Sequence, residues 1–259
     1  MAKYLKEILI YKKQNKPDIQ KKTKASHRAF GQNFDSEKIN IIAEIKKASP
    51  SRGMINKNLD KAEAAYQFGR YPSFIKGLSV LTEPIYFKGC TDDINKARKA
   101  NRLPILRKDF IVYPQQVHES ACLGADCILL ISDFLGTKRL KQLYRLAKDL
   151  GLEVLVEAHN RKSLKKALTI GANLVGINNR NLKDLKINKD NTASLLTEIG
   201  KGSDVTVINE SGIGSLDDIL RLYEKGIRNF LIGTYFMRAK SLEATLNCMD
   251  IAFRKRGLI

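Results

Sequence analysis

The sequence predicts one α/β domain of the (β/α)8 TIM-barrel type behind an N-terminal helical extension, and three observations carry that expectation. Eight short runs are continuously apolar and rich in β-branched residues, the pattern of parallel strands buried on both faces. Helical periodicity fills the intervals, as in Leu140-Leu143-Leu146-Ala147-Leu150 and Leu216-Ile219-Leu220-Tyr223. Several helices run into a glycine turn that feeds the next strand, at Gly124, Gly151, Gly171 and Gly226, where glycine meets the C-cap geometry at low steric cost. The length of 259 residues suits one such barrel, which takes roughly 250.

Taken in order, residues 1–40 stand outside the repeat and read as an extension packing on one end of the barrel, which occupies residues 41–259. In the extension, Tyr4, Leu5, Ile8 and Leu9 suggest an amphipathic helix, and Lys12 to Lys24 reads as a solvated basic stretch. The strands are expected at Ile41–Ile45, Ile75–Leu81, Leu103–Leu106, Cys127–Ile131, Val154–Val156, Leu174–Ile177, Val205–Ile208 and Phe230–Ile232. Repeated strand–helix–strand units give a parallel sheet with right-handed crossovers, and eight of them close a barrel. An open doubly wound sheet is the alternative, but no GxGxxG follows the first strand.

Composition narrows the class. A hydrophobic fraction of 43% with 28% charged residues is that of a globular protein with a large core. No run approaches the roughly 20 apolar residues of a membrane span, and the charged N-terminus is unlike a secretory signal, so a cytoplasmic protein with no membrane partner is expected. The four cysteines form no CxxC pair; Cys122 and Cys127 read as buried reduced thiols. The formal charge of +19 is spread along the chain without interleaved aromatics, which argues against nucleic acid as a partner. His27, His118 and His159 lack metal-ligand spacing, and His159 reads as a loop residue; neither a metal nor a cofactor is expected.

In barrels of this class the polar groups at the C-terminal strand ends build the active site. Those ends here carry Glu44 and Lys46, two apart and therefore on one side, then Lys108, Glu157, Asn178 and Glu210. Two lysines, three glutamates and an asparagine on one rim point to catalysis on a small anion. Arg107 faces away from Lys108 by alternation and supports the wall, and Glu83 and Glu153 read as structural. After the seventh strand comes Glu210-Ser211-Gly212-Ile213-Gly214, and after the eighth Ile232-Gly233-Thr234. Loops seven and eight are where such barrels commonly hold a phosphate. Ordinary strand-to-helix turns are the alternative, and Ser215-x-x-Asp218 has the form of a capping box.

Seven segments in order resemble one family, indole-3-glycerol phosphate synthase. They are Ile42 to Ser51, Ser79-Val80-Leu81-Thr82-Glu83, Leu106 to Ile111, Val154-Leu155-Val156-Glu157, Gly176 to Leu182, Glu210-Ser211-Gly212-Ile213 and Phe230-Leu231-Ile232-Gly233. The resemblance implies a carboxy-lyase of tryptophan biosynthesis. Its substrate would be 1-(2-carboxyphenylamino)-1-deoxyribulose 5-phosphate, which loses carbon dioxide and water to give indole-3-glycerol phosphate. It also implies Lys108 as general acid at the ketone, Glu157 as the carboxylate of dehydration, and Glu44 as an orienting group with a share in proton transfer. Lys46, Ser211, Gly212, Gly233 and Thr234 fall on the phosphate side, with Ser49 a further substrate contact. Asn178 and Arg180 would meet the ring and carboxylate, Glu210 a hydroxyl or lysine, and Leu81, Phe87 and Phe110 would form the aromatic slot.

The chain departs from the usual pattern at Cys90, Asn209 and Tyr235, the last beside the phosphate loop, and its length leaves no room for a fused second enzyme. A monomer is expected, with a homodimer as the alternative. Two other functions compete: a phosphoribosyl isomerase, which would lack the Leu-Arg-Lys-Asp-Phe run, and a non-enzymatic basic binding protein.

Overall fold

The structure, a computed structural model, describes residues 2–19, 28–200 and 203–259. Eight parallel strands close a barrel: β1 (Asn40–Ile45), β2 (Ile75–Leu81), β3 (Ile105–Lys108), β4 (Cys127–Ile131), β5 (Glu153–Ala158), β6 (Leu174–Asn178), β7 (Thr206–Glu210) and β8 (Asn229–Ile232). Neighbours follow chain order, and β8 pairs back onto β1. Helix α1 (Lys3–Gln14) precedes the barrel. The crossovers are α2 (Lys61–Gly69), α3 (Asp92–Ala100), α4 (Pro114–Cys122), α5 (Thr137–Asp149), α6 (Arg161–Thr169), α7 (Asn191–Leu196) and α8 (Leu216–Glu224), and the short α9 (Thr234–Met237) and α10 (Leu242–Lys255) follow β8. The four C-cap glycines, Gly124, Gly151, Gly171 and Gly226, all take positive φ between 76° and 85°, as the turn requires.

Strand ends moved where polarity or proline intervened. The third strand begins at Ile105, two residues later than the apolar run suggested, because Pro104 has no N–H to donate and only its carbonyl joins the ladder, at Leu78 N. Strands β5 and β7 extend past their apolar cores to include Glu157 and Glu210. Register sets the rim: Leu81 pairs with Lys108, Ile131 with Glu157, and Asn178 with Glu210.

Two apolar compartments follow from strand alternation. One lies between strands and helices; the other fills the barrel interior with Ile42, Leu106, Leu129, Leu155, Ile208 and Leu231. The interior cluster also contains Leu5 and Ile8 of α1 and Phe30. The extension therefore reaches both ends of the barrel, not one. Phe30 N and Gly31 N donate to Glu153 at the start of β5, while Tyr4 OH donates to Leu182 O and Glu7 accepts from Tyr86 OH at the opposite end.

Lys12 corrects the reading of a solvated basic stretch. It is 7% exposed, with Nζ 2.7 Å from Asp109 Oδ1. An unpaired ammonium would not bury there; its partner, just past β3, makes the burial tolerable. Residues 20–24 of that stretch and His27 lie outside the described residues. Cys122 is also corrected: it ends α4 on the outer face and is exposed, whereas Cys127 opens β4 and is buried. Arg107 does face outward, bonding Thr82, Gln116 and Ser120.

Candidate active site

Lys108, the last residue of β3, crosses the barrel mouth to two carboxylates, with Nζ 3.0 Å from Glu157 Oε2 and 2.5 Å from Glu210 Oε2. Room for Glu210 comes from Gly176 on β6, where an added Cβ would lie 2.0 Å from Glu210 Oε1. Gly233 does the same for Glu44, whose Oε1 would lie 2.5 Å from a Cβ at that position. Glu44 Oε1 in turn accepts from Lys46 Nζ at 2.5 Å. Glu44, Lys108, Glu157 and Glu210 are all buried, so their charges depend on these pairings.

The electrostatics separate the two carboxylates on Lys108. Burial alone would lower the Lys108 ammonium, but Glu157, Glu210 and Glu44 together hold it above the usual lysine range. Burial would raise Glu157; Lys108 and His159 outweigh it and hold the carboxyl well below its usual range. Glu210 goes the other way. Burial raises it, Lys108 lowers it, and the Glu157 charge raises it again, to about 8. One carboxylate therefore stays ionised while its neighbour keeps a proton at neutral pH, the environment-driven split that assigns acid and base roles.

These groups line a cavity of about 600 Å³. Every residue expected from the sequence to act on or bind the substrate borders it. Glu44, Lys46, Lys108, Glu157, Asn178, Arg180 and Glu210 supply its polar wall, and Leu81, Phe87 and Phe110 an apolar wall. Ser211, Gly212, Gly233 and Thr234 close one end, and Ser49 lies on the loop after β1. The aromatic wall is continuous: the Phe110 ring stands 6.4 Å from Phe87 and 5.8 Å from Phe134 between centroids. At the closed end Ser211 and Gly212 take φ of 66° and 90°, left-handed backbone that glycine adopts without steric cost. Ser215 caps α8 by accepting from Asp218 N, and Asp218 Oδ2 accepts from Gly214 N. The capping reading is thus right for Ser215, and the Gly214 N–H is already used.

The sequence reading missed four residues of the site. Tyr4 enters the cavity from α1, where burial and the Glu157 charge push its hydroxyl up to about 12 against the opposing pull of Arg180; its helical face was read only as packing. Arg52 follows the Ser49-Pro50-Ser51 segment and borders the cavity. It helps burial lower the Arg180 guanidinium, and among the described residues neither arginine has a carboxylate ion pair, so the cavity holds surplus positive charge. Leu182 completes the apolar wall. His159, expected as a loop residue, stands over Glu157, two positions along the chain and so on the same side. Of the three departures only Tyr235 borders the cavity; Asn209 accepts from Asn179 outside it and Cys90 is exposed. Among the described residues no cluster of His, Cys, Asp and Glu is placed to hold a metal ion.

Known proteins resemble this chain along most of its length. A family model described as indole-3-glycerol phosphate synthase matches residues 2–249. The protein of that name from Aliarcobacter butzleri is 40% identical over 249 residues, covering 93% of each chain. Those from Polynucleobacter necessarius and Acetivibrio thermocellus are 40% and 44% identical, over 90% and 79% of this chain and 86% and 77% of their own. Among solved structures, an N-acetylmannosamine-6-phosphate 2-epimerase from Clostridium perfringens superimposes with a TM-score of 0.60 at 14% identity, over 91% of this chain and all 100% of that one. That likeness shows the barrel fold alone.

Proposed function

The chain belongs to the indole-3-glycerol phosphate synthase family, and from that premise we propose which side chains of the cavity carry each step. The enzyme is a carboxy-lyase of tryptophan biosynthesis. It closes the ring of 1-(2-carboxyphenylamino)-1-deoxyribulose 5-phosphate with loss of carbon dioxide and water. Ring closure turns a ketone oxygen into an alkoxide as the aromatic carbon attacks. Lys108 is assigned to that oxygen. Its ammonium stays charged because carboxylates surround it, and an alkoxide is basic enough to take a proton even from a lysine held above its usual range. Loss of carbon dioxide then restores the aromatic ring.

Dehydration needs a proton delivered to the departing hydroxyl and another removed from the new ring. Glu157, ionised beside Lys108, is the base. Glu210, protonated up to about pH 8, contacts the hydroxyl, and its unpartnered buried Oε1 supports that placement. Glu44 orients Lys46, with a share in proton transfer. Lys46 and the Ser211–Gly212 and Gly233–Thr234 backbone grip the phosphate, with Ser49 beside them. Asn178 and Arg180 meet the carboxylate-bearing ring, which lies in the slot of Leu81, Phe87 and Phe110. The proposal includes residues 1–40 as one extension on a barrel domain of 41–259, a monomeric state and a cytoplasmic location. In support of the last, no helix among the described residues is long and apolar enough to cross a membrane.

The observation that carries the assignment is the Lys108 ammonium shared by Glu157 and Glu210 at the cavity mouth. Its test is turnover of the synthetic carboxyphenylamino substrate, followed by indole fluorescence. Lys108→Ala is expected to keep the barrel folded by circular dichroism and to lose roughly 10²–10⁴ in kcat, the usual contribution of one acid–base group. Near-parent turnover would remove Lys108 from the chemistry.

A further inference from the structure

Glu157 has two oxygens, and Lys108 uses one. The other, Oε1, lies 3.1 Å from His159 Nε2. The opposite ring nitrogen, Nδ1, lies 2.9 Å from Asp133 Oδ2 on the loop after β4. Asp133 is itself held, because Asn160 Nδ2 donates to its Oδ1 at 3.1 Å and Asn160 caps α6. The His159 backbone is fixed as well: its N–H donates to Ser163 Oγ and its carbonyl accepts from Asn191 Nδ2. A carboxylate, an imidazole and a second carboxylate thus stand in line from the outer loop to the cavity. The Nε2–H is not aimed along the contact with Glu157, which holds as charge on charge more than as an aligned hydrogen bond.

We propose that His159, seated against Asp133, is a positioning residue of the reaction that keeps Glu157 ionised and turned toward the substrate. Nothing in the assignment of Lys108 and Glu210 supplies this. Lys108 is committed to the substrate's ketone oxygen during ring closure, and Glu157 would then be left buried without its main counter-charge. The imidazolium behind it remains in place through that step and keeps the base available for dehydration. Asp133 and Glu157 make the cation possible. Burial would lower the imidazole, but the two carboxylates raise it to about 9. The titratable groups around the pair are Asp133 from the β4 loop, Lys108 from β3, Glu210 from β7 and the Tyr4 hydroxyl from α1; Asn160, Ser163 and Asn191 are neighbours that do not titrate.

The inference rests on the role given to Glu157 above, so parent and Glu157→Gln enzymes are assayed first. A parent without turnover, or a Glu157→Gln enzyme at the parent's rate, would overturn that role. With those controls in hand, His159→Gln is compared with the parent for kcat, KM and the pH profile of kcat/KM. The expected result is a fall in kcat of roughly tenfold or more with KM within about twofold. The acid limb should also move upward by roughly one pH unit, because a cation within contact distance lowers a carboxyl by one to three units. A merely structural residue would not move that limb.

Asp133→Asn keeps the imidazole and removes the anion behind it. Its imidazole, followed by NMR, should titrate nearer the ordinary 6.5 than 9. Its rate relative to the parent should be near one at pH 6 and fall as pH rises to 8, a ratio from which the Glu210 titration cancels. An unmoved acid limb in His159→Gln, or a flat Asp133→Asn ratio between pH 6 and 9, overturns the proposal. Should His159→Gln fail to fold, the Asp133→Asn ratio decides it.

Discussion

At the scale of single residues the site is a contest between burial and charge, and Glu210 shows which wins where. Both Glu157 and Glu210 are buried against the same ammonium, yet only Glu210 is raised, because Glu157 also has His159 and the two carboxylates repel. The sign follows directly. Glu210 holds its proton below about pH 8 and loses it above, so a step that needs the protonated form slows as pH rises through 8. Glu210→Gln donates a hydrogen bond at every pH, and its kcat profile should lack that alkaline limb at a lower plateau; a limb still centred near 8 would assign the titration to another group. Most of these residues were legible in the sequence because a barrel strand end is a chemical address. Lys108, Glu157 and Glu210 needed only the rule that polar side chains end inward-facing strands. His159 obeys the same two-residue spacing from Glu157 as Lys46 does from Glu44, but its partner Asp133 lies 26 residues earlier, a separation that no local pattern reveals.

At the scale of elements, the barrel strands and helix α1 were readable, but the place where α1 docks was not. Continuous apolar runs found all eight strands and erred at their ends, at polar residues such as Glu157 and Glu210, at Ala158 and Val205, and at the start that Pro104 delays. For α1 the amphipathic face was visible, but its destination was not, since Lys12 is an ordinary solvent-facing residue in any local reading. Its ammonium instead reaches Asp109, which Lys12 and Arg107 hold ionised against full burial. That pair ties α1 to the residue immediately after Lys108, and Tyr4 on the same helix borders the cavity. Lys12→Met should therefore loosen α1 and raise KM more than it lowers kcat. Removing one partner of a buried pair costs about 3–5 kcal/mol, and Asp109 keeps Arg107, Thr82 and the Phe110 N–H, so the loss on denaturant unfolding should be smaller, roughly 1–3 kcal/mol. An unchanged KM with a full loss of stability would make the pair purely structural.

At the scale of the whole molecule, closure of the barrel converts eight separate strand ends into one cavity and places it in the field of a chain carrying +19. Some of that positive charge is inside the site, in Lys46, Arg52 and Arg180; much of the rest is on exposed lysines. The two populations differ in how salt affects them. Exposed charges more than about 8 Å from the ligand are largely screened at physiological ionic strength, whereas the partly buried cations at the cavity keep their hold. A substrate carrying a phosphate and a carboxylate would be drawn in by both, but only the outer charges act mainly on approach. The expected outcome is a kcat/KM that falls by up to about tenfold between 10 mM and 500 mM salt, with kcat nearly constant. If kcat falls in parallel, salt is disturbing the buried Lys108–Glu157–Glu210 cluster itself. If neither changes, substrate capture depends on the few cations lining the cavity, and the surface lysines contribute nothing to catalysis.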